Sequence, residues 1–353
     1  MLVSEFDFEL PSDLIAQEAP AARGTSRLLR MHRQSGALDH HSINDLPSLL
    51  EPGDLLVVNN TRVFPARLLG RRDPSGGAVE CLLVTRLAPP EADGAELWEA
   101  LVSPGQKLKP GAQVVFEGAA TIHGQILERR PFGRRVVRLW TPGGTPLESA
   151  VDAVGHIPLP PYIKRDDRRD DHERYQTVFA QARGSIAAPT AGLHFTPELL
   201  AQIKARGVEL TELTLHVGYG TFQPIRVEVV EEHRMESEAF ELSEETAAAV
   251  NAALDAGRRV VAVGTTTTRT LESVAHSHGG RLVPGRGTSD LFIYPGFEFR
   301  VLSGLVTNFH LPQSSLLMLV SAFGGRDHVL HAYRTAVAER YRFYSYGDAM
   351  LIL

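Results

Sequence analysis

The sequence predicts a layered α/β domain, discontinuous along the chain, with a small β-barrel domain inserted into it. Helix-type and strand-type segments alternate from about residue 196 onward, and such alternation favours an α/β layered fold. Between residues 63 and 151, short apolar runs are separated by Gly- and Pro-rich turns, as in small barrels or sandwiches. We therefore assign residues 1–62 and 152–353 to an α/β main domain and 63–151 to the inserted barrel.

Composition is that of an ordinary globular protein. The 353 residues are 43% hydrophobic and 22% charged, which suggests about two domains. A single cysteine, Cys81, excludes an internal disulfide and a Cys-based zinc cluster. There is no signal-peptide pattern, and no apolar run approaches the roughly 18 residues of a membrane span. We expect a cytoplasmic monomer with no membrane contact.

The first elements are strands. Residues 54–58 form an apolar run that leads into the polar turn Asn59-Asn60-Thr61, as a strand running into a loop would. In the inserted section, β-type runs occupy 79–85, 112–116 and 136–140. None of these runs has helical periodicity, which favours the barrel.

The elements after residue 195 carry clear start and stop signals. Thr196 at an N-cap, Pro197 at the first helical position and Gly207 beyond the end bracket a helix of about ten residues. The remaining predicted elements are strand 208–217, helix 243–256, strand 259–263, helix 267–278, strands 291–294 and 301–307, a last helix through 329–341 and strand 349–353.

The strongest chemical signal lies between residues 260 and 269. An apolar strand passes through Gly264 into Thr265, Thr266 and two further threonines, with Arg269 close behind. Free backbone N–H groups, hydroxyls and a guanidinium at a helix start would bind a phosphate or an amino-acid carboxylate. The alternative is that the threonines only cap the helix. The segment is neither a P-loop nor a Rossmann fingerprint.

Three other strand ends carry small or polar residues, and the ends of strands are where α/β sheets build sites. For each, an ordinary strand–turn connection is the alternative. The candidates are Thr190, Gly192 and His194 in 187–196, His216, Tyr219, Gly220, Thr221 and Phe222 in 216–222, and Asn308 and His310 in 307–312. No metal-binding motif is present, so we expect a site without metal.

Charge is distributed unevenly. Residues 62–140 hold twelve basic and eight acidic side chains, a net charge of +4 in a chain of net charge −6, so the remainder carries about −10. This predicts that the insertion contacts a polyanion, with a solvated hairpin as the alternative. The mixed-charge run 164–174 fits a solvated loop or a salt-bridged helix start, with contact to RNA phosphate as the alternative.

Uncommon strings spread along the whole chain resemble the S-adenosylmethionine:tRNA ribosyltransferase-isomerase family of queuosine biosynthesis. Examples are GDLLVVNNTRVFPARL (53–68), AAPTAGLHFT (187–196), HVGYGTFQP (216–224), VAVGTTTTRTLES (261–273) and TNFHLPQSSLLMLVSAF (307–323). The resemblance implies a transferase with an inserted β-barrel. It implies transfer and isomerisation of the ribosyl moiety of S-adenosylmethionine onto 7-aminomethyl-7-deazaguanine at the tRNA wobble position. Epoxyqueuosine-tRNA, adenine and methionine are the implied products.

The resemblance also implies site roles, with S-adenosylmethionine as co-substrate, tRNA as partner and no separate cofactor. A base must remove a proton beside the sulfonium, and we favour His194, His216 and His310 because histidine titrates near working pH. Further base candidates are His233, Glu238, Asp290 and Asp348. Residues 264–269 would hold the methionine carboxylate, and Tyr219 or Phe222 would face the sulfonium. We assign tRNA contact to Arg62, Arg67, Arg134 and Arg135.

Two other functions fit parts of the sequence. A non-catalytic RNA-binding factor would need only the arginine-rich insertion. An S-adenosylmethionine-dependent methyltransferase is less favoured, because the chain lacks a glycine-rich nucleotide-binding loop.

Overall fold

The computed structural model describes residues 1–222 and 225–353, and the side chains of all of these except Thr221 and Phe222. Within these residues the chain forms two compact units. The first comprises Met1–Arg62, Pro161–Arg165 and Arg174–Leu353, and the second comprises Val63–Pro160 and Asp166–Glu173. The second unit therefore continues beyond residue 151, where the sequence analysis placed the end of the insertion.

The strands and helices of the described residues are numbered in chain order. The strands are β1 (Arg27–Met31), β2 (Leu38–Ser42), β3 (Leu55–Asn59), β4 (Thr61–Val63), β5 (Arg67–Asp73), β6 (Ala78–Arg86), β7 (Glu96–Ser103), β8 (Gln113–Glu117), β9 (Thr121–Arg129), β10 (Arg134–Trp140), β11 (Ala182–Ser185), β12 (Glu209–Leu215), β13 (Glu238–Leu242), β14 (Val260–Val263), β15 (Gly285–Ser289), β16 (Gly304–Asn308) and β17 (Ala349–Ile352). The helices are α1 (Leu46–Leu49), α2 (Leu147–Val154), α3 (Asp171–Arg174), α4 (Pro197–Ala205), α5 (Glu244–Asp255), α6 (Thr265–Ser277), α7 (Ser315–Gly324) and α8 (Arg326–Ala338).

A mixed sheet forms the centre of the first unit. In the described residues its strand order is β15-β13-β12-β3-β14-β16-β17-β1-β2. Strands β12, β3, β14 and β16 are parallel, whereas β17 runs antiparallel to β16 and parallel to β1. The carboxyl ends of the four parallel strands therefore lie at one edge of the sheet.

The central parallel strands β3 and β14 are largely apolar and fully buried, because helices cover both faces of the sheet there. In β3, Leu55 and Val57 belong to the core that includes α5–α8, and Leu56 and Val58 belong to the core that includes α1 and α4. Successive side chains point to opposite faces, so one short apolar run contributes to both cores.

The second unit contains a closed six-stranded barrel, all of it within the described residues, with strand order β10-β7-β6-β5-β8-β9. Alternate residues of β6, namely Val79, Cys81 and Leu83, are buried inside it. The predicted fold class, a layered α/β domain with a small β-barrel, is confirmed.

Most element predictions after residue 195 are confirmed. Thr196 caps α4 by accepting a hydrogen bond from the Leu199 N–H at 3.1 Å, and Pro197 is its first residue. The strand predicted at 291–294 is wrong: these residues form a loop whose Ile293 is buried in the core, and the strand in this region is β15. The last helix ends at Ala338 rather than 341. Strands β1, β2 and β13 and helices α1, α2, α3 and α7 are among the elements that were not predicted.

Candidate active site

A cleft opens at the carboxyl ends of β14 and β16 in the first unit. Ligands of α/β sheets bind at such strand ends. The lining residues are Tyr162, Ala187, Ala188, Pro189, Thr190, Ala191, Val217, Gly264, Thr265, Thr266, Thr307, Asn308, His310, Leu316, Tyr344 and Ser345. Of the predicted site residues, Thr190, Gly264, Thr265, Thr266, Asn308 and His310 are among them.

One wall of the cleft is the start of helix α6. Gly264 has φ +92°, a conformation that favours glycine, and its N–H donates to Val306 O at 2.8 Å. The first hydrogen bond of the helix runs from Thr268 N–H to Gly264 O, and the N–H groups of Thr265, Thr266 and Thr267 have no acceptor among the described residues. This 13-residue helix therefore presents free donors and its positive dipole end at the cleft.

Asn308 forms the facing polar wall and is only 2% exposed. Its Nδ2 donates to Tyr344 O at 2.9 Å and lies 3.2 Å from His194 Nε2. The contact with a carbonyl oxygen fixes which amide atom carries the hydrogens. Its Oδ1 is then a buried acceptor with no partner in the described part of the chain. Such an atom costs about 1–3 kcal/mol unless a ligand donates to it.

The two buried histidines are neutral in this environment. His310 lines the cleft with Nε2 2.9 Å from Thr307 Oγ1, and burial lowers its pKa to about 3. His194 lies behind Asn308, with Nδ1 2.8 Å from Ser26 Oγ. Burial lowers the pKa of His194 to about 4, although Asp348 opposes this shift. The sequence argument that these histidines titrate near working pH is therefore wrong for both.

The other base candidates lie outside the cleft lining. The ring of His216 packs on the backbone of Gly184, its Nδ1 lies 2.8 Å from Thr61 Oγ1, and burial lowers its pKa. His233 packs against the Phe292 ring, and Asp290 is exposed. Asp348 accepts backbone hydrogen bonds from Arg27 and Arg342. The contacts of His216, His233 and Asp348 give these side chains structural roles.

Arg269 differs from its predicted role as an anion ligand. It is 2% exposed, and its Nη1 donates to Glu238 Oε2 at 2.6 Å. The guanidinium also donates to the carbonyls of Leu291 and Ser289, while Glu238 Oε1 accepts the Gly218 N–H at 2.8 Å. The fifth residue of the helix points away from its start, so Arg269 ties together neighbouring segments instead of entering the cleft.

The predicted glycines at 192 and 220 approach protein side chains. A Cβ atom on Gly192 would lie 2.7 Å from Phe179 and Thr177, and one on Gly220 would lie 2.8 Å from Glu236. Gly192 and Tyr219 are absent from the cleft lining. The side chains of Thr221 and Phe222 lie outside the described residues.

The aromatic wall of the cleft was missed in the sequence. Tyr162 and Tyr344 have ring centroids 3.8 Å apart, and the Tyr162 hydroxyl is hydrogen-bonded to Ser345. Tyr344 has φ +73°, unusual for a bulky residue, and its N–H donates to Phe309 O at 3.0 Å. Tyr344 and Ser345 lie in the string YRFYSYGDAML (341–351), whose local pattern gives no role for either residue.

The predicted tRNA-contacting arginines have different surroundings. Arg135 is 5% exposed and donates to the carbonyls of Leu108, Arg134 and Gly105, so the prediction that it contacts tRNA is wrong. Arg67 pairs with Glu80 at 2.9 Å, and Arg134 pairs with Glu99. Arg62 is exposed, with no acidic partner among the described residues.

Comparison with known proteins identifies the family. The family model described as "Queuosine biosynthesis protein" matches residues 3–352. The chain belongs to the queuosine biosynthesis protein family. The resemblance inferred from its strings is thereby confirmed over nearly its whole length.

Individual relatives of this family are similar over their full length. S-adenosylmethionine:tRNA ribosyltransferase-isomerase of Desulfitobacterium hafniense is 51% identical and that of Symbiobacterium thermophilum 52% identical, each with 100% of both chains covered. A crystal structure of S-adenosylmethionine tRNA ribosyltransferase from Thermotoga maritima is 39% identical with a TM-score of 0.55, covering 99% of this chain and 100% of that one. The family is thus one of transferases in queuosine biosynthesis.

No helix within residues 1–222 and 225–353 combines the length and the hydropathy that crossing a bilayer requires.

Proposed function

We propose that the chain transfers and isomerises the ribosyl moiety of S-adenosylmethionine onto 7-aminomethyl-7-deazaguanine at the tRNA wobble position. The products are epoxyqueuosine-tRNA, adenine and methionine, and S-adenosylmethionine is a co-substrate rather than a bound cofactor. Relatives that match over their full length are named S-adenosylmethionine:tRNA ribosyltransferase-isomerase, a name that supports the ribosyl transfer and isomerisation. The observation that carries the proposal is that one cleft is lined both by the start of α6, with its free N–H donors, and by Asn308, whose Oδ1 has no partner among the described residues.

These two walls match the zwitterion at the end of S-adenosylmethionine. Its carboxylate accepts hydrogen bonds from the N–H groups of Thr265–Thr267 and is stabilised by the helix dipole. Its ammonium donates to Asn308 Oδ1, which satisfies the buried acceptor. The predicted anion site is thus kept at Gly264, Thr265 and Thr266, without Arg269.

His310 is the group we assign as base. Among the described residues that line the cleft, the titratable ones are His310, Tyr162 and Tyr344. Burial raises the pKa of both tyrosines above its ordinary value, so they stay protonated and can donate hydrogen bonds to the departing adenine. His310 is neutral at pH 7 and can therefore accept a proton.

The low pKa of His310 does not preclude this role. It reflects the cost of creating a charge in a buried cleft that holds no other charge. When the methylene beside the sulfonium loses its proton to His310, the sulfonium becomes a neutral ylide and the imidazole becomes a cation. With the substrate's carboxylate and ammonium included, the net charge in the cleft is +1 before and after the step, so the desolvation cost largely cancels.

Adenine release tests the proposal directly. The purified protein is incubated with S-adenosylmethionine and tRNA that carries the precursor base, and free adenine is measured. We expect tRNA-dependent adenine from the wild type, at least a hundredfold less from His310→Gln, and wild-type rates from His276→Gln. His276 is a suitable control because it lies near the other end of α6 from the cleft, where it contacts Glu298 O.

Two other outcomes would replace the proposal. S-adenosylhomocysteine in place of adenine would indicate a methyltransferase. Tight tRNA binding with neither product would indicate an RNA-binding factor. We retain Arg62 as a proposed phosphate contact, because its guanidinium is exposed.

A further inference from the structure

The six-stranded barrel has connections at two ends. Neighbouring strands are antiparallel all round the barrel, so its successive connections alternate between the ends. Three connections lie at one end, namely β5–β6 (74–77), β7–β8 (104–112) and β9–β10 (130–133). The β6–β7 (87–95) and β8–β9 (118–120) connections lie at the other end. Residues far apart in the sequence therefore share one end of the barrel.

The end with three connections is positively charged. We call it the basic end and define it, with the flanking strand residues, as residues 73–78, 103–113 and 129–134. It contains five basic side chains and one acidic side chain, Asp73, a net charge of +4. The connections at the opposite end contain Glu91 and Asp93 and no basic residue. The two ends of the barrel thus differ in the sign of their charge.

Three cations of the basic end are available to an anionic ligand. Lys107, Lys109 and Arg129 are exposed and have no acidic partner in the part of the chain that the structure describes. Arg129 Nη2 donates to Gly105 O at 3.5 Å, so the β9–β10 hairpin lies beside the β7–β8 connection. The three positive charges therefore belong to neighbouring segments and can contact one polyanion together.

Phe132 lies at the tip of the β9–β10 hairpin and is 86% exposed. Its φ of +57° is in the left-handed region, which a bulky side chain disfavours. Arg130 and Arg134, on either side of it, bind the same Glu99 carboxylate and fix the base of the hairpin. Residues held in such a conformation cluster at ligand-binding sites, so the exposed ring indicates a ligand that covers it.

This combination of charge and ring favours RNA. Single-stranded nucleic acids bind where basic side chains contact phosphates and an aromatic ring stacks on a base. A protein partner needs an interface with an apolar core, and an interfacial membrane segment needs a whole apolar face. Within residues 73–78, 103–113 and 129–134, Phe132 is the only large hydrophobic side chain that is exposed.

We propose that the basic end of the barrel binds the substrate tRNA, with Phe132 stacked on an unpaired base. Lys107, Lys109 and Arg129 contact the phosphates that flank this base. The inference rests on the proposed function, which makes tRNA a substrate. It assigns tRNA binding to a surface that includes none of the cleft residues.

The stacking is tested by the affinity for tRNA that carries the precursor base. Phe132→Ser and Phe132→Leu should each weaken binding about tenfold, because neither side chain stacks on a base, whereas Phe132→Trp should keep most of the affinity. Leu87→Ser is the matched control, since Leu87 is an exposed apolar residue at the opposite end of the barrel. It should bind tRNA as the wild type does.

A glycine variant separates loss of stacking from loss of folding. Glycine adopts a positive φ without strain, so Phe132→Gly should have a thermal unfolding midpoint at least as high as that of the wild type. It should nevertheless bind tRNA as weakly as Phe132→Ser. A gain in stability together with a loss of affinity indicates that the ring serves binding.

The phosphate contacts are tested by the salt dependence of tRNA binding. Lys107→Gln and Lys109→Gln should each reduce the slope of log affinity against log salt by about 0.7–0.9. Phe132→Ser should keep the wild-type slope, because the ring carries no charge. Lys204→Gln, which removes an exposed lysine of α4, is the matched control and should also keep the slope.

Several results would overturn the inference. Wild-type tRNA affinity in Phe132→Ser, or full affinity in Phe132→Leu, would exclude stacking, and unchanged slopes in both lysine variants would exclude the phosphate contacts. Loss of binding to phosphatidylserine vesicles in Phe132→Ser, with unchanged tRNA affinity, would assign the surface to a membrane. Adenine release by the wild type tests the proposed function independently of these measurements.

Discussion

Asn308 Nδ2 lies 3.2 Å from His194 Nε2, and this contact sets the orientation of the polar wall of the cleft. Asn308 donates there, so His194 Nε2 is the acceptor and Nδ1–H donates to Ser26 Oγ. The same amide donates to Tyr344 O, which leaves only Oδ1 for a ligand. His194 therefore acts through Asn308 and is a positioning residue.

Replacing Asn308 should weaken binding of S-adenosylmethionine. Asn308→Ala removes the acceptor for the ammonium, and a hydrogen bond to a charged group contributes about 1.5–3 kcal/mol, so we expect affinity to fall about 10- to 100-fold. Calorimetric titration measures this. Asn251→Ala should keep wild-type affinity, because Asn251 binds the backbone of Leu282 away from the cleft. Equal affinities for the two variants would contradict the assignment.

The positioning role of His194 predicts a rescue. His194→Phe loses both hydrogen bonds and should raise the KM for S-adenosylmethionine about tenfold. His194→Gln can still accept from Asn308 and donate to Ser26, so most of the affinity should return. Steady-state adenine release gives both constants. A glutamine variant as impaired as the phenylalanine variant would show that the imidazole is itself required in the reaction.

Acid should destabilise the folded protein through its two buried histidines. Their pKa values, about 4 for His194 and about 3 for His310, lie below the unfolded value of 6.5, so the unfolded state binds more protons. The stabilisation is present above pH 6.5 and is lost as pH falls toward 4 and 3. At pH 5 each histidine should cost about 2 kcal/mol relative to pH 7. Urea unfolding at both pH values should show a smaller loss for His194→Gln than for the wild type; equal losses would show that His194 does not contribute.

The ion pair of Arg269 and Glu238 should matter for stability more than for binding. Arg269→Ala leaves a buried carboxylate without its cation, so we expect a loss of about 3–5 kcal/mol in unfolding free energy. The double variant Arg269→Met with Glu238→Gln removes both charges and should be more stable than Arg269→Ala. Urea midpoints test this. A stable Arg269→Ala protein with weak S-adenosylmethionine binding would restore the anion-binding role that the sequence predicted.

The local signals in the sequence identified the strand ends that form the cleft. Gly264 with its threonines, and Asn308 with His310, were found because polar residues follow apolar strands there. The same reasoning could not give side-chain directions. Arg269 follows the threonines closely in sequence but points away from the helix start, and Arg135 points into the barrel domain.

The aromatic wall could not be predicted from local patterns. Tyr162 and Tyr344 are 182 residues apart in the chain and meet only through the tertiary fold. The pKa values of His194 and His310 also depend on the tertiary fold, because burial lowers them and a local sequence pattern does not show how deeply a side chain is buried. Strands β1 and β2 were missed for a different reason: they lie at one side of the sheet and carry a mixture of polar and apolar residues.

Strand β17 lies antiparallel to β16, with Ala349 opposite Asn308. The segment just before β17 therefore arrives at the same sheet edge where β16 ends, and it brings Tyr344 and Ser345 to the cleft. Strand β17 is held between β16 and β1, so the part of the cleft wall that contains Tyr344 and Ser345 depends on the pairing of this one strand along both of its edges.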